Sequence, residues 1–362
     1  MFTKKLMSKR ILFITPYPQG EAPSQRFRFE QYFDFLKKQG YETEMHSFLN
    51  QKTWNSLYNH GSFFAKASGI IGSFWRRKLL MFSIRKFDYI YIHREASMIG
   101  PPIFEWFIAK VLRRKYIYDY DDAIWLTNYS EQNAKFQKLK AYGKVKKIIK
   151  WADVVTTGNS FLQEFGKKYN QNVLVIPTTI DLKKSHNQPT NHSHFPVNIG
   201  WTGSHTTMSY LDSLIPVLQE LEKENDFTFT IISNEKPTFK LNSLRFIKWK
   251  KETEIQDLSS INIGIMPLSD NEWAKGKCGF KALQYMSLEI PALASPIGVN
   301  TEIIEDGKNG YLCATSEEWK EKLSILLKNQ QLREQIGKEG YDTVRKKYSV
   351  EANCGSYLKL FQ

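Results

Sequence analysis

Several features common in a sequence of 362 residues are missing here. No apolar run approaches the roughly 18–20 residues that cross a bilayer as a helix. Behind the basic Met1–Arg10, the apolar stretch Ile11–Ile14 is too short for the core of a secretory signal. Cysteine is scarce. Cys278, Cys313 and Cys354 are odd in number and lack metal-ligand spacing, so a disulfide framework is excluded and a reduced, cytoplasmic compartment is expected. There is no short-period repeat and no low-complexity tract. Acidic residues are in deficit on one side only. Residues 1–180 hold 29 Lys and Arg against 14 Asp and Glu, whereas residues 181–362 hold 22 against 23. The whole basic excess therefore lies in the N-terminal half and asks for an anionic partner there: membrane phospholipid, a lipid-linked phosphate or nucleic acid.

Aromatics are plentiful at 14%, and the length exceeds what one core usually organises, so two domains are expected. Apolar runs at Ile11–Ile14, Tyr41–Ser47, Phe87–His93, Lys115–Tyr120, Val154–Thr157 and Val173–Ile176 read as strands. Helical spacing lies between them, as in Phe27–Gln39, which Gly40 closes. Residues 183–196 are polar, carry Pro189 and Pro196, and show no apolar period, so they read as a linker. His186, His192 and His194 within it read as solvated polarity rather than a metal tract. A second alternating series follows: strands at 197–201, 227–232, 246–249 and 263–266, and a helix over 210–224 despite Pro216. Alternation of this kind means βαβ units and parallel sheets. Residues 319–362 are helical in pattern.

In such sheets the ligand crevice lies at strand C-termini. Gly20 ends one such loop, and His93-Arg94-Glu95 and the Asp119, Asp121, Asp122 cluster follow two other strands. The three carboxylates read either as a turn cluster or as an acid/base site; no metal is assigned. Arg26 and Arg28 open a helix, where the dipole disfavours cations, which suggests that they bind an anion. Gly203 and Ser204 lie in a glycine turn before a Ser/Thr-rich helix start, where N–H and hydroxyl groups suit a phosphate; Ser204 also suits an N-cap. That loop has no Arg or Lys, so Lys275, Lys277 or Lys281 would supply the charge. Residues 63–87 mix aromatics with bases (Phe74, Trp75, Arg76, Arg77, Lys78, Phe82), which as a helix suits either a membrane surface or a core with a solvated face.

Lys281-Ala282-Leu283-Gln284-Tyr285-Met286, then Pro291, then Ser295-Pro296-Ile297-Gly298 resembles the donor-sugar site of family 4 glycosyltransferases of the GT-B class. The resemblance extends to the first strand and glycine loop, Ile11–Gly20, and to Ala152–Asp181. It implies an α/β GT-B fold, two Rossmann-like domains facing a central cleft: an acceptor domain 1–182, the linker 183–196, a donor domain 197–347, and a helix 348–362 crossing back. It also implies a hexosyltransferase, retaining in outcome, that takes a UDP- or GDP-sugar as co-substrate without a further cofactor. The acceptor would be a saccharide or lipid-linked hydroxyl in cell-surface polysaccharide or glycolipid synthesis, and nucleic acid is not a partner. The place of action would be the cytoplasm, peripheral to the inner membrane face. Donor contacts fall on Gly203, Ser204, Lys277, Gly279, Phe280, Lys281, Gln284, Gly298 and Val299. Acceptor-side contacts fall on Gly20, Arg26, Arg28, His93 and Arg94, with Asp121 and Asp122 as the catalytic carboxylates. The chain departs from the family where two glutamates are usual: Gly276 and Gln284 stand there. A non-catalytic nucleotide-sugar-binding protein and a GT-B epimerase stay open as alternatives.

Overall fold

The computed structural model describes residues 8–58, 63–127 and 140–362; the basic segment Met1–Met7 lies outside them. The chain forms two compact units, one of residues Met1–Pro177 with Cys354–Gln362, the other of Thr178–Asn353. The first unit holds a six-stranded sheet of β1 (Lys9–Thr15), β2 (Tyr41–Ser47), β3 (Tyr89–His93), β4 (Ile117–Tyr120), β5 (Val154–Thr157) and β6 (Val173–Val175). Its order is β2-β1-β3-β4-β5-β6, and every pairing is parallel. Ile11 to Ile14 are fully buried, as a parallel strand covered on both faces requires. Chain order reverses between β1 and β3, which makes the C-terminal ends of those strands the crevice of this sheet.

The helix expected over Phe27–Gln39 is broken. Short turns at Pro23–Arg26 and Glu30–Tyr32 precede a helix at Phe33–Lys38. The break follows from polar groups that turn inward. Gln25 accepts from Tyr17 N and donates to Glu30, Glu30 accepts from Gly20 N, and Arg28 reaches the sheet. The final residues complete this unit: Tyr357 stacks on Tyr32 at 4.2 Å, and Tyr41 Oη donates to Phe361 O at 2.8 Å.

The second unit holds β7 (Val197–Thr202), β8 (Phe227–Ser233), β9 (Leu244–Lys248), β10 (Ile263–Met266), β11 (Ala292–Ala294) and β12 (Tyr311–Leu312). Its order is β12-β11-β10-β7-β8-β9, again all parallel, with the reversal between β7 and β10. Pro216 starts the helix Ile215–Leu221 instead of interrupting one, because the first turn needs no intrahelical N–H from it. Residues 183–196 are not a free tether. Thr190 N donates to Leu288 O at 2.9 Å, the His192 ring bonds Glu289 O at 2.8 Å, and Arg333 donates to His192 O at 3.0 Å. Buried backbone groups need such partners, and the C-terminal unit supplies them.

Tyr285, on the helix Phe280–Ser287, ties this unit's crevice together. Its hydroxyl accepts from Thr202 N at the end of β7 and lies 3.4 Å from Ile265 O on β10. Its ring fills the place of a side chain at Gly264, where a Cβ would stand 2.3 Å from the ring. Gly264→Ala is therefore expected to destabilise the protein by about 1–3 kcal/mol, read as a lower urea midpoint at unchanged slope.

Candidate active site

In the first unit the residues at the C-terminal ends of β3, β4 and β5 form one polar row. His93 pairs in register with Asp119, and Asp119 with Thr156, so the three side chains share a face of the sheet. All three are fully buried. His93 Nδ1 lies 2.8 Å from Asp119 Oδ2, and Thr156 Oγ1 donates to Asp119 Oδ1 at 2.7 Å. The Arg28 guanidinium forms an ion pair with the same carboxylate and donates to Ile176 O. Burial pushes the Asp119 carboxyl up, but the Arg28 charge and the His93 hydrogen bond outweigh it and hold the group well below the ordinary range. Arg28 thus finds its anion inside the protein, in Asp119, which takes it out of the set facing an external ligand.

Arg94, the residue after β3, has left-handed backbone at φ 57°, a conformation rare outside glycine and concentrated at functional sites. Its N–H donates to Asp119 O at 2.7 Å, and its carbonyl accepts from Tyr118 Oη at 2.7 Å. Its guanidinium then spans both candidate carboxylates, Nε to Asp121 Oδ1 at 2.8 Å and Nη2 to Asp122 Oδ2 at 2.7 Å. Burial works against the Arg94 charge, yet Asp121 and Asp122 raise its pKa further. Both carboxylates are thereby fixed in direction. The remaining His93 nitrogen, Nε2, is buried without a hydrogen-bond partner among the described residues and lies 4.0 Å from Asp121 Oδ1. His93 thus lies between Asp119, which orients its ring, and Asp121. Gly20 belongs to the neighbouring loop after β1, held by Glu30, and Arg26 packs over the Phe27 ring at 5.0 Å.

In the second unit the donor-side residues gather at the C-terminal ends of β7, β10 and β11. Gly279 begins the helix Phe280–Ser287 in left-handed backbone, φ 65°, and a Cβ on it would stand 2.2 Å from Ile303 Cδ1 and 3.2 Å from Val299 Cγ1. Gly298, φ 57°, has its missing Cβ position 2.8 Å from Lys275 O. The loop before the helix and the loop after β11 therefore touch backbone to backbone, and glycine is the residue that permits it. Gly203 closes the third side, its missing Cβ position 2.5 Å from the Trp201 ring. Lys281 Nζ lies 5.6 Å from the centre of that same ring, which brings the lysine to the loop that lacks one.

Lys277 lies over Trp273 at 5.0 Å, and Lys275 is engaged by Asp270 and Glu272 at the surface. Ser204 is exposed at the start of His205–Met208; its side chain makes no capping bond and instead pairs with Thr206 Oγ1 at 2.9 Å. Gln284 is buried, and its Nε2 has no hydrogen-bond partner among the described residues. Gly276 is a buried helix cap, and the nearest upstream carboxylate, Glu272, is exposed and paired with Lys275. Asn300, absent from the sequence reading, is also buried beside Gly279, with Oδ1 unpartnered among the described residues and Nδ2 donating to Ser295 O at 3.0 Å. Among the described residues no cluster of His, Cys, Asp or Glu could hold a metal ion.

Residues 204–343 match the family described as glycosyl transferases group 1. A probable sucrose-phosphate synthase of Thermosipho melanesiensis is 32% identical over 84 residues, which spans 23% of this chain and 19% of that protein. The fold is similar to that of sucrose-phosphate synthase from Thermosynechococcus elongatus, with a TM-score of 0.69 at 12% identity over 98% of both chains. It is also similar to HepE of Anabaena, solved with UDP and glucose, with a TM-score of 0.66 at 12% identity over 98% of this chain and 99% of that one.

Proposed function

We propose, from the match of residues 204–343 to glycosyl transferases group 1 and from the two Rossmann-like units of GT-B type, that the protein transfers a sugar from a nucleotide-sugar to an acceptor hydroxyl. The observation that carries this reading is the meeting of Gly203, Gly279, Gly298 and Lys281 at the crevice of the second sheet. Backbone N–H groups on the loops of Gly279 and Gly298, the Ser204 hydroxyl and one ammonium suit a diphosphate, which needs many donors and positive charge; the Gly203 N–H itself is taken by Ile232 O. The buried amide of Gln284 suits a ribose hydroxyl, to which it offers both an acceptor and a donor. HepE, solved with UDP and glucose, makes a UDP-sugar the first donor to test. In the first unit Asp121 would receive the acceptor proton, with His93 behind it as the positioning residue. The acceptor is a saccharide or lipid-linked hydroxyl of cell-surface polymer synthesis, and retention at the anomeric carbon is the expected outcome.

A titration of UDP, GDP and their sugars tests the donor site. Lys281→Ala is expected to weaken nucleotide binding by about 10–100-fold, the worth of one charge-assisted hydrogen bond to a diphosphate. Circular dichroism of the variant should be unchanged. Binding of every nucleotide with equal affinity by wild type and variant would overturn the role of Lys281, and no binding at all would overturn the donor site. The missing glutamates at Gly276 and Gln284 favour a second reading, a protein that binds nucleotide-sugar without turnover. Release of UDP in the presence of acceptors decides between the two.

A further inference from the structure

The helix Phe63–Ser83 has two apolar sides, and the fold uses one of them. On its inner side Ser73, Arg77, Leu80 and Met81 are buried, Gly69 fits against Thr53, and Phe74 meets Phe48 edge-on at 5.1 Å. Arg77 is locked there by three backbone carbonyls, Thr15, His46 and Ala96. The outer side carries Ile71, Trp75, Leu79 and Phe82, exposed by 70%, 59%, 51% and 78%. Steps of four, four and three residues put these four on one stripe of the helix. A soluble surface rarely leaves such a stripe uncovered, and larger apolar patches mark interaction sites.

Charge selects the partner. Residues 63–87 contain no Asp or Glu at all. Lys78 lies over the Trp75 ring at 5.2 Å on the outer side, and Arg85 and Lys86 are exposed in the following turn. The next helical segment, which meets this one through Phe74 and Phe104 at 6.2 Å, leaves Ile103, Trp106 and Val111 exposed, and its one carboxylate, Glu105, is buried. No helix among the described residues is long and apolar enough to cross a membrane, so the stripe would lie on a bilayer and not through it. At about 1.5 Å per residue the stripe from Ile71 to Phe82 offers a contact line of roughly 17 Å. We propose that the outer face of Phe63–Ser83 docks this protein on an anionic phospholipid surface, with Ile71, Trp75, Leu79 and Phe82 entering the interface and Lys78, Arg85 and Lys86 meeting the headgroups. Apolar area and anionic-lipid attraction together set the strength of such binding. The surface stands on this helix alone and holds whichever sugar is transferred.

Sedimentation of the full chain with vesicles tests it. Wild type should bind phosphatidylcholine–phosphatidylglycerol vesicles at least about tenfold more tightly than phosphatidylcholine alone, and less so as salt rises. Trp75→Glu with Phe82→Glu should weaken that binding by at least about tenfold, and Arg85→Glu with Lys86→Glu should weaken it without touching the apolar stripe. Ile325→Glu, an exposed apolar residue of the other unit, should change nothing. Failure of wild type to bind anionic vesicles, or undiminished binding by both double variants, would overturn the proposal. So would a wild-type dimer in gel filtration that the Trp75/Phe82 variant converts to monomer, since the face would then be an interface between copies.

Discussion

Asp119→Asn is expected to destabilise the N-terminal unit by about 3–5 kcal/mol, because it strands the Arg28 guanidinium in the interior without its counter-charge. For a protein of this size that lowers the melting temperature by roughly 10 °C, measurable by calorimetry. The substitution reaches beyond the ion pair, since the same carboxylate holds the His93 ring and the Thr156 hydroxyl. Removing both charges together, as in Asp119→Leu with Arg28→Met, should be far milder than Asp119→Asn alone, because no unpaired ion remains. The pH dependence follows from the carboxyl's pKa, lowered in the folded state: burial opposes ionisation, but Arg28 and His93 favour it more strongly. Its contribution is complete above the unfolded-state value of about 4 and is lost as pH falls towards the folded value. Wild type and Asp119→Asn should therefore differ most near neutrality and converge in acid. Equal melting temperatures at pH 7 would show that this network contributes nothing to stability.

Asp121→Asn is expected to lower turnover by about 10²–10⁴-fold, the usual contribution of a positioned proton acceptor, while leaving nucleotide affinity unchanged. The separation is sharp because the residues proposed to hold nucleotide all belong to the second sheet. Asp122→Asn should do less, because the carboxylate placed 4.0 Å from His93 Nε2 is that of Asp121. His93→Gln should lower kcat, with KM for the donor preserved, because it removes the ring that Asp119 orients beside Asp121. Turnover of Asp121→Asn within about threefold of wild type would remove the carboxylate from the reaction. It would also shift attention to substrate-assisted chemistry or to the binding-protein reading.

The sequence alone determined the architecture. Continuous apolar strands such as Ile11–Ile14, alternating with helices, pack best as covered parallel sheets, and among the described residues the strands lie in two such sheets, to which the half-exposed edges β2 and β9 belong by pairing alone. It also singled out the loops proposed to hold the donor, because Gly279, Lys281, Gln284 and Gly298 lie within one stretch of twenty residues whose spacing is itself the signal. Only the tertiary structure decided the N-terminal site. His93, Asp119 and Thr156 are 26 and 37 residues apart in sequence and become neighbours through strand register, which local pattern does not encode. Register also reassigned the charges. The helix start suggests that Arg28 binds an anion in the cleft, but Asp119 meets it in the interior. Asp121 and Asp122 read either as a turn cluster or as an acid/base site, and the left-handed turn at Arg94 aims its guanidinium at both. The aromatic and basic segment over 63–87 was ambiguous for the same reason: a periodic pattern shows that a helix has an apolar side, and only packing shows which side the protein leaves for something else.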